Sequence, residues 1–208
     1  MKIKVCGLFD KDNLKQVLEL EPDYIGFNFY PASKRFCKFS ELPDLDFGKT
    51  EIVGIFVNAS AALIQEHVGR FNLSLVQLHG TENVEQAIEL KNRLPNCKII
   101  KVFGVEEQSD LKDLQSWASI SDFYLFDKKA ISFGGTGKKF DWDILNKNPP
   151  AKKFFLAGGI GPEDVRSIKL LSQVLPDLFA VDINSRFEDK AGLKQVECIK
   201  KFIEELRV

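Results

Sequence analysis

The chain has 208 residues, 44% of them hydrophobic and 28% charged, the balance of an ordinary globular protein long enough to close one sizeable core. Twenty-nine Lys plus Arg stand against 30 Asp plus Glu, so the formal net charge of -1 supplies no global field toward nucleic acid or an acidic membrane surface, and any anion site must be local. Four scattered cysteines (Cys6, Cys37, Cys97, Cys198) with no Cys-x-x-Cys pair and only two histidines argue against disulfides and structural zinc.

In the opening ten residues, charges interrupt the apolar run too early for a signal peptide, and no later run is long enough to span a bilayer. A cytoplasmic protein is expected, with no membrane and no nucleic-acid partner. Short runs rich in Val, Ile, Leu and Phe then predict strands at residues 3–6, 24–29, 52–57, 75–78, 99–103, 123–127, 153–157 and 179–183. Most are apolar on both faces, as strands covered by helices outside and side chains inside should be. Between them run polar stretches with helical spacing. Thr81 is the candidate N-cap of one, with Glu82 in its first turn and Val84, Ala87, Ile88 and Leu94 on one side. Pro162 opens another, carrying Val165, Ile168 and Leu171, and a last one carries Val196, Ile199, Ile203 and Leu206. His67 falls on the expected third helix and reads as structural.

About eight strand-helix units without a linker predict one domain over residues 1–208, a compact (β/α)8 TIM barrel, whose usual size is about 250 residues with shorter members known. An open doubly wound sheet is the rival, since it shows the same alternation. The 18 phenylalanines are spread evenly enough to signal core packing.

Reactive groups of such a barrel sit at the C-terminal ends of strands and in the loops beyond them. That rule selects Cys6-Gly7, the segment from Tyr30 to Arg35, Gln77-Leu78-His79-Gly80, Asp127, Gly158-Gly159 and the segment from Asp182 to Ser185. Gly158-Gly159 joins an apolar strand to a helix, so its N–H groups can close around an oxyanion beside a helix dipole; a tight strand-helix turn is the plainer alternative. Gly134-Gly135-Thr136-Gly137 lacks the ending of a nucleotide-binding loop and reads as a mobile cover. Asp127 by itself fits an N-cap or rim salt bridge as well as an acid. A lone cysteine is more often a small apolar residue than a base, and Cys6 becomes a base only where positive charge, from Arg35 or a helix end, stabilises its thiolate.

Taken in order, these loops resemble the phosphoribosylanthranilate isomerase family of tryptophan biosynthesis. The likeness runs through Lys4-Val5-Cys6-Gly7, Gly26-Phe27-Asn28-Phe29-Tyr30-Pro31 with Ser33-Lys34-Arg35, Val53-Gly54-Ile55-Phe56-Val57-Asn58 and Val76-Gln77-Leu78-His79-Gly80. It continues in Gly134-Gly135-Thr136-Gly137 with Phe140-Asp141-Trp142, in Leu156-Ala157-Gly158-Gly159-Ile160 and in Val181-Asp182-Ile183. The resemblance implies a cofactor-free Amadori rearrangement of a small-molecule substrate, N-(5'-phosphoribosyl)anthranilate. It also implies Asp127 as general acid and Cys6 as general base, with the Asp127 pKa raised. Arg35 would hold the anthranilate carboxylate, Gln77, His79 and Asp182 would line the substrate pocket, and Gly158, Gly159, Asn184 and Ser185 would bind phosphate. One position departs: where the family shows small residues and a glycine after the aspartate, this chain has Asn184-Ser185-Arg186-Phe187-Glu188, so Arg186 either adds charge to the phosphate or points to solvent. The rivals are the histidine-pathway isomerase, which uses two aspartates where this chain has Cys6, and a barrel that binds ligand without turnover. Oligomeric state is not legible.

Overall fold

The computed structural model describes residues 1–129 and 139–208. Eight parallel strands close in sequence order: β1 (Lys2–Cys6), β2 (Tyr24–Asn28), β3 (Glu51–Phe56), β4 (Leu75–Leu78), β5 (Lys98–Val105), β6 (Phe123–Lys128), β7 (Phe154–Leu156) and β8 (Leu178–Ile183). The ring is completed by β8 against β1, with Lys4 opposite Asp182 and Val5 opposite Ile183. The open-sheet rival is thereby excluded, and all eight expected strands are present with no end moved by more than two residues.

Alternation along each strand separates two cores. Inward-facing Tyr24, Val53, Leu75, Ile100, Val102, Leu125, Phe155, Ala157 and Ala180 form an apolar cluster inside the ring. Phe123, Phe155 and Phe179 pack there ring against ring, with centroids 5.0–5.8 Å apart. Outward residues such as Ile3, Val5, Phe27, Phe56, Val76, Phe126 and Val181 join the helices in the larger cluster. The phenylalanines serve packing as expected. On the next inward positions toward the strand ends, apolar residues give way to polar ones: Cys6 after Lys4, Asn28, Gln77 and His79, Asp127, Asp182 and Asn184.

The surrounding layer is less regular than the alternation predicts. Among the described residues there are helices α1 (Lys11–Leu18), α2 (Ala61–Phe71), α3 (Val84–Arg93), α4 (Asp143–Lys147), α5 (Val165–Val174) and α6 (Val196–Arg207). No helix follows β2, where Pro31, Pro43 and Gly48 break any helical run and Phe39, Leu42, Leu45 and Phe47 lay an irregular segment on the core. After β5 stand two 3-10 turns, Gln108–Leu111 and Leu114–Trp117. His67 therefore lies on the second helix, where it packs on Phe29, Phe56 and Phe71 and bonds Leu63 O, the structural role expected of it.

The N-cap of α3 is Asn83, which exchanges hydrogen bonds with Gln86, and not Thr81. Thr81 is instead tied to Asn58 Oδ1. Glu82 is withdrawn from the helix altogether. Its buried carboxylate accepts from the N–H groups of Asn58 and Gly80 and from Lys101 Nζ at 3.0 Å, so one side chain pins the loops after β3 and β4 to β5. Removing one partner of a buried pair leaves an uncompensated charge. Glu82→Ala is expected to destabilise the fold by roughly 3–5 kcal/mol, read as a shift of the urea midpoint; a change below about 1 kcal/mol would remove Glu82 from this role.

Candidate active site

All the candidate site residues named from sequence line one cleft at the C-terminal end of the barrel: Cys6, Arg35, Gln77, His79, Asp127, Gly158, Gly159, Asp182, Asn184 and Ser185. Asn28, Tyr30 and Ser33 complete one side. The cleft measures about 750 Å³ including its open mouth. The loop of Gly134 to Gly137 lies outside the described residues.

At the floor sits Lys4, fully buried. Its Nζ donates to Asp182 Oδ2 at 2.8 Å and to Gln77 Oε1 at 2.7 Å. Burial alone would lower its pKa, but Asp182 and the adjacent Cys6 outweigh that and raise it, so the ammonium persists. Lys4 and Cys6 occupy alternate positions on β1 and so face the same side. Burial is also the main influence on Cys6, pushing its thiol up; Lys4 is the largest opposing cation, with Lys194 and Arg35 weaker and Asp182 acting against them. The cation beside the thiol is thus Lys4 more than Arg35.

Gln77 Nε2 lies 2.9 Å from His79 Nδ1, and His79 Nε2 lies 3.8 Å from Asp127 Oδ2. Burial first, then Lys4 and Lys101, hold the His79 pKa down to about 4, leaving a neutral ring. Asp127 moves the other way. Burial, then the nearby Asp182 carboxylate, push it up to about 6, against the Lys128 N–H that donates to its Oδ1 at 2.7 Å and the more distant Lys4. The rise expected for an acid is present without substrate.

Arg35 is placed by the turn after β2. Asn28 accepts from Tyr30 N and donates to Ser33 Oγ, which accepts from Arg35 N. Its Nε and Nη2 fork over Glu188 at 2.6–3.0 Å, and the buried Lys194 reaches both Glu188 Oε1 at 2.6 Å and Asn184 Oδ1 at 2.7 Å. Gly7, at φ 80°, lets this happen: a Cβ there would stand 2.6 Å from Arg35 Cδ. Gly158, at φ 88°, plays a similar part beside the acid, since a Cβ would lie 2.7 Å from Lys128 N and 3.0 Å from Asp127 Oδ1. Arg186 turns from the cleft toward Glu163 on the turn after β7, at 2.9 Å, and Lys139 meets the same carboxylate.

Lys4, Asn28, Glu188 and Lys194 were not singled out from sequence for a role. Lys4 carried one available signal, a cation in register with Cys6 on an apolar strand. Glu188 and Lys194 belong to a small hairpin of β9 (Glu188–Lys190) and β10 (Leu193–Lys194) for which the strand-helix pattern has no place.

A closed parallel barrel whose mouth gathers a thiol, a carboxyl group of raised pKa and an arginine fork is the framework of a barrel enzyme that works by acid–base chemistry. The comparisons narrow this. The family model for N-(5'phosphoribosyl)anthranilate (PRA) isomerase matches residues 3–205. The N-(5'-phosphoribosyl)anthranilate isomerase of Parabacteroides distasonis is 34% identical over 210 residues, covering 99% of this chain and 93% of its own. That of Thermotoga maritima is 34% identical over 211 residues, covering 98% and 97%. The crystal structure of the Thermotoga maritima enzyme superposes with a TM-score of 0.83 at 31% identity, covering 100% and 98%. A phosphoribosyl anthranilate isomerase in complex with reduced 1-(o-carboxyphenylamino)-1-deoxyribulose 5-phosphate superposes at 0.79 with 30% identity and the same coverage. The chain belongs to the phosphoribosylanthranilate isomerase family, and is an aldose-ketose type isomerase of tryptophan biosynthesis.

The raised Asp127 pKa has a measurable consequence. Above about pH 6 the folded protein holds an unfavourable carboxylate, whereas below the ordinary aspartate value of about 3.9 both folded and unfolded chains are protonated and the penalty is absent. Asp127→Asn is expected to stabilise the fold by roughly 2–3 kcal/mol at pH 7–8, a gain that disappears as the pH falls from about 6 to about 4. Denaturation midpoints at a series of pH values measure it, and a destabilised variant at pH 8 would contradict the shift.

Proposed function

We propose that this chain converts N-(5'-phosphoribosyl)anthranilate to 1-(2-carboxyphenylamino)-1-deoxyribulose 5-phosphate with Asp127 as general acid and Cys6 as general base. The observation that carries it is the convergence of both groups on one cleft, with the Asp127 pKa pushed up to about 6 and a buried ammonium beside the thiol. Asp127 gives its proton to the ring oxygen as the bond from that oxygen to the first sugar carbon breaks, and the nitrogen lone pair closes a Schiff base. The Cys6 thiolate then takes the proton from the second carbon, whose electrons flow toward the iminium to form an enolamine that tautomerises to the ketone. Each transfer contributes roughly 10²–10⁴-fold.

In the free protein Cys6 keeps its proton through the neutral range because burial raises the thiol, while Asp127 loses its own at about pH 6. Two anionic groups on the substrate raise Asp127 further and favour the protonated acid, while the Lys4 ammonium supports the thiolate.

Arg35 has its Nε–Nη2 edge on Glu188, and the Nη1 end of the same planar fork is the part left to take the anthranilate carboxylate. Asp182 keeps Oδ2 on Lys4 while its buried Oδ1 meets no donor among the described residues, which suits a sugar hydroxyl. Phosphate goes to the N–H groups at Gly158, Gly159 and Ser185 and to the Asn184 amide, whose oxygen is held by Lys194 so that its NH2 donates. Gln77 and His79 form the wall beside the acid. A cytoplasmic setting fits four free cysteines and a phosphorylated substrate that does not cross membranes.

Mixing the protein with freshly made phosphoribosylanthranilate and following loss of its fluorescence tests the reaction. Cys6→Ala and Asp127→Asn should each lower kcat by about 10² or more while folding normally, and normal turnover in either would withdraw its role. Arg35→Ala should mainly raise KM, with Arg35→Lys a poor substitute; an unchanged KM would remove the carboxylate contact.

A further inference from the structure

The hydrogen bonds that leave Lys4 have a direction. A lysine ammonium only donates, so the amide oxygen of Gln77 must face Lys4, at 2.7 Å, and its NH2 must face the other way, 2.9 Å from His79 Nδ1. An NH2 group also only donates. Nδ1 must therefore accept, and a neutral imidazole that accepts at Nδ1 carries its proton on Nε2. That nitrogen lies 3.8 Å from Asp127 Oδ2.

We infer that Lys4, acting through Gln77, is a positioning residue that sets His79 as a neutral Nε2–H donor aimed at the carboxyl group of Asp127. The inference rests on Asp127 being the acid. Once Asp127 has given up its proton it is a carboxylate in a poorly solvated cleft, and an Nε2–H within a short side-chain rotation can donate to it as that charge develops. An imidazolium would pair with Asp127 beforehand and rob it of its proton. A neutral ring does neither. The charged groups facing His79 are Lys4 from β1 and Asp127 from β6, and Lys101 on the outer face of β5 adds its charge from behind; the two lysines, added to burial, keep the ring uncharged. Both lysines are anchored, Lys4 on Asp182 and Lys101 on Glu82.

The chain carries its own control. His67 Nδ1 lies 2.9 Å from the carbonyl oxygen of Leu63, which only accepts, so His67 must hold its proton on Nδ1, the opposite tautomer. With only two histidines, nitrogen-15 spectra of the free protein at about pH 8 should show one ring of each kind, His79→Gln assigning the signals. Gln77→Leu keeps the Lys4–Asp182 pair and should turn His79 into a mixture of tautomers while lowering kcat at least about tenfold, with KM changed far less. Lys4→Met should have the same spectral effect. Because it strands the Asp182 carboxylate, Lys4→Met/Asp182→Asn is read for the tautomer alone if the single variant does not fold. A wild-type His79 protonated on Nδ1, or a Gln77→Leu protein with tautomer and kcat unchanged, overturns the inference. Normal turnover by Asp127→Asn would instead remove the acid and leave the tautomer, measured without substrate, where it is.

Discussion

Inside the barrel, the Lys4 ammonium has lost all contact with solvent, and the Asp182 carboxylate opposite it on β8 is almost as enclosed. Taking such charges out of water costs several kcal/mol each, and a well-packed apolar pair of the same volume would often be as stable or more so. The pair is better understood through what it arranges. It joins the first strand to the last where the barrel closes, places a cation beside Cys6, and leaves one buried Asp182 oxygen without a donor among the described residues. Through Gln77 it reaches β4 and from there the edge of Asp127. The apolar cluster of Tyr24, Leu125, Phe155 and Phe179 beneath keeps water from these groups from below, so each interaction acts in a medium of lower dielectric than the solvent.

A second set of charges, Arg35, Glu188, Lys194 and Asn184, surrounds the other side of the cleft and has a different character. Its two cations share the single Glu188 carboxylate, and the cluster is built from a loop without helix and a hairpin between β8 and α6. The inner network tunes proton affinity. The outer one holds side chains in place: Arg35 keeps the Nε–Nη2 edge of its planar fork on Glu188, and Asn184 is turned with its oxygen on Lys194. Arg186 joins neither, and its ion pair with Glu163 sits on the rim.

The eight strands and the strand-end positions of Cys6, Gln77, His79, Asp127 and Asp182 were legible in the amino-acid order, because a strand buried on both faces is a short apolar run whatever its partners. An open sheet shares that alternation, and only the pairing of β8 with β1 closes the ring. The family resemblance added roles to those positions. Less was legible where local pattern and tertiary demand disagree. Glu82 looked like a first-turn helix acid beside an N-cap Thr81, but a buried Lys101 and two loop N–H groups draw it inward, and the cap moves to Asn83. The expected helices after β2 and β5 are absent because those segments cover the core with scattered aromatic and leucine side chains that need no helical period.

Sequence alone therefore determined the alternation of strands, their order and which residues reach the mouth, since a two-residue period and a strand end are local properties of the chain. Only the tertiary structure decided the states of the reactive groups. The raised pKa of Asp127, the neutrality of His79 and the edge of Arg35 held by Glu188 all depend on residues tens to more than a hundred positions away. Burial and charge act through space, and only the closed barrel brings Lys4, Gln77, Asp127 and Asp182 within reach of one another.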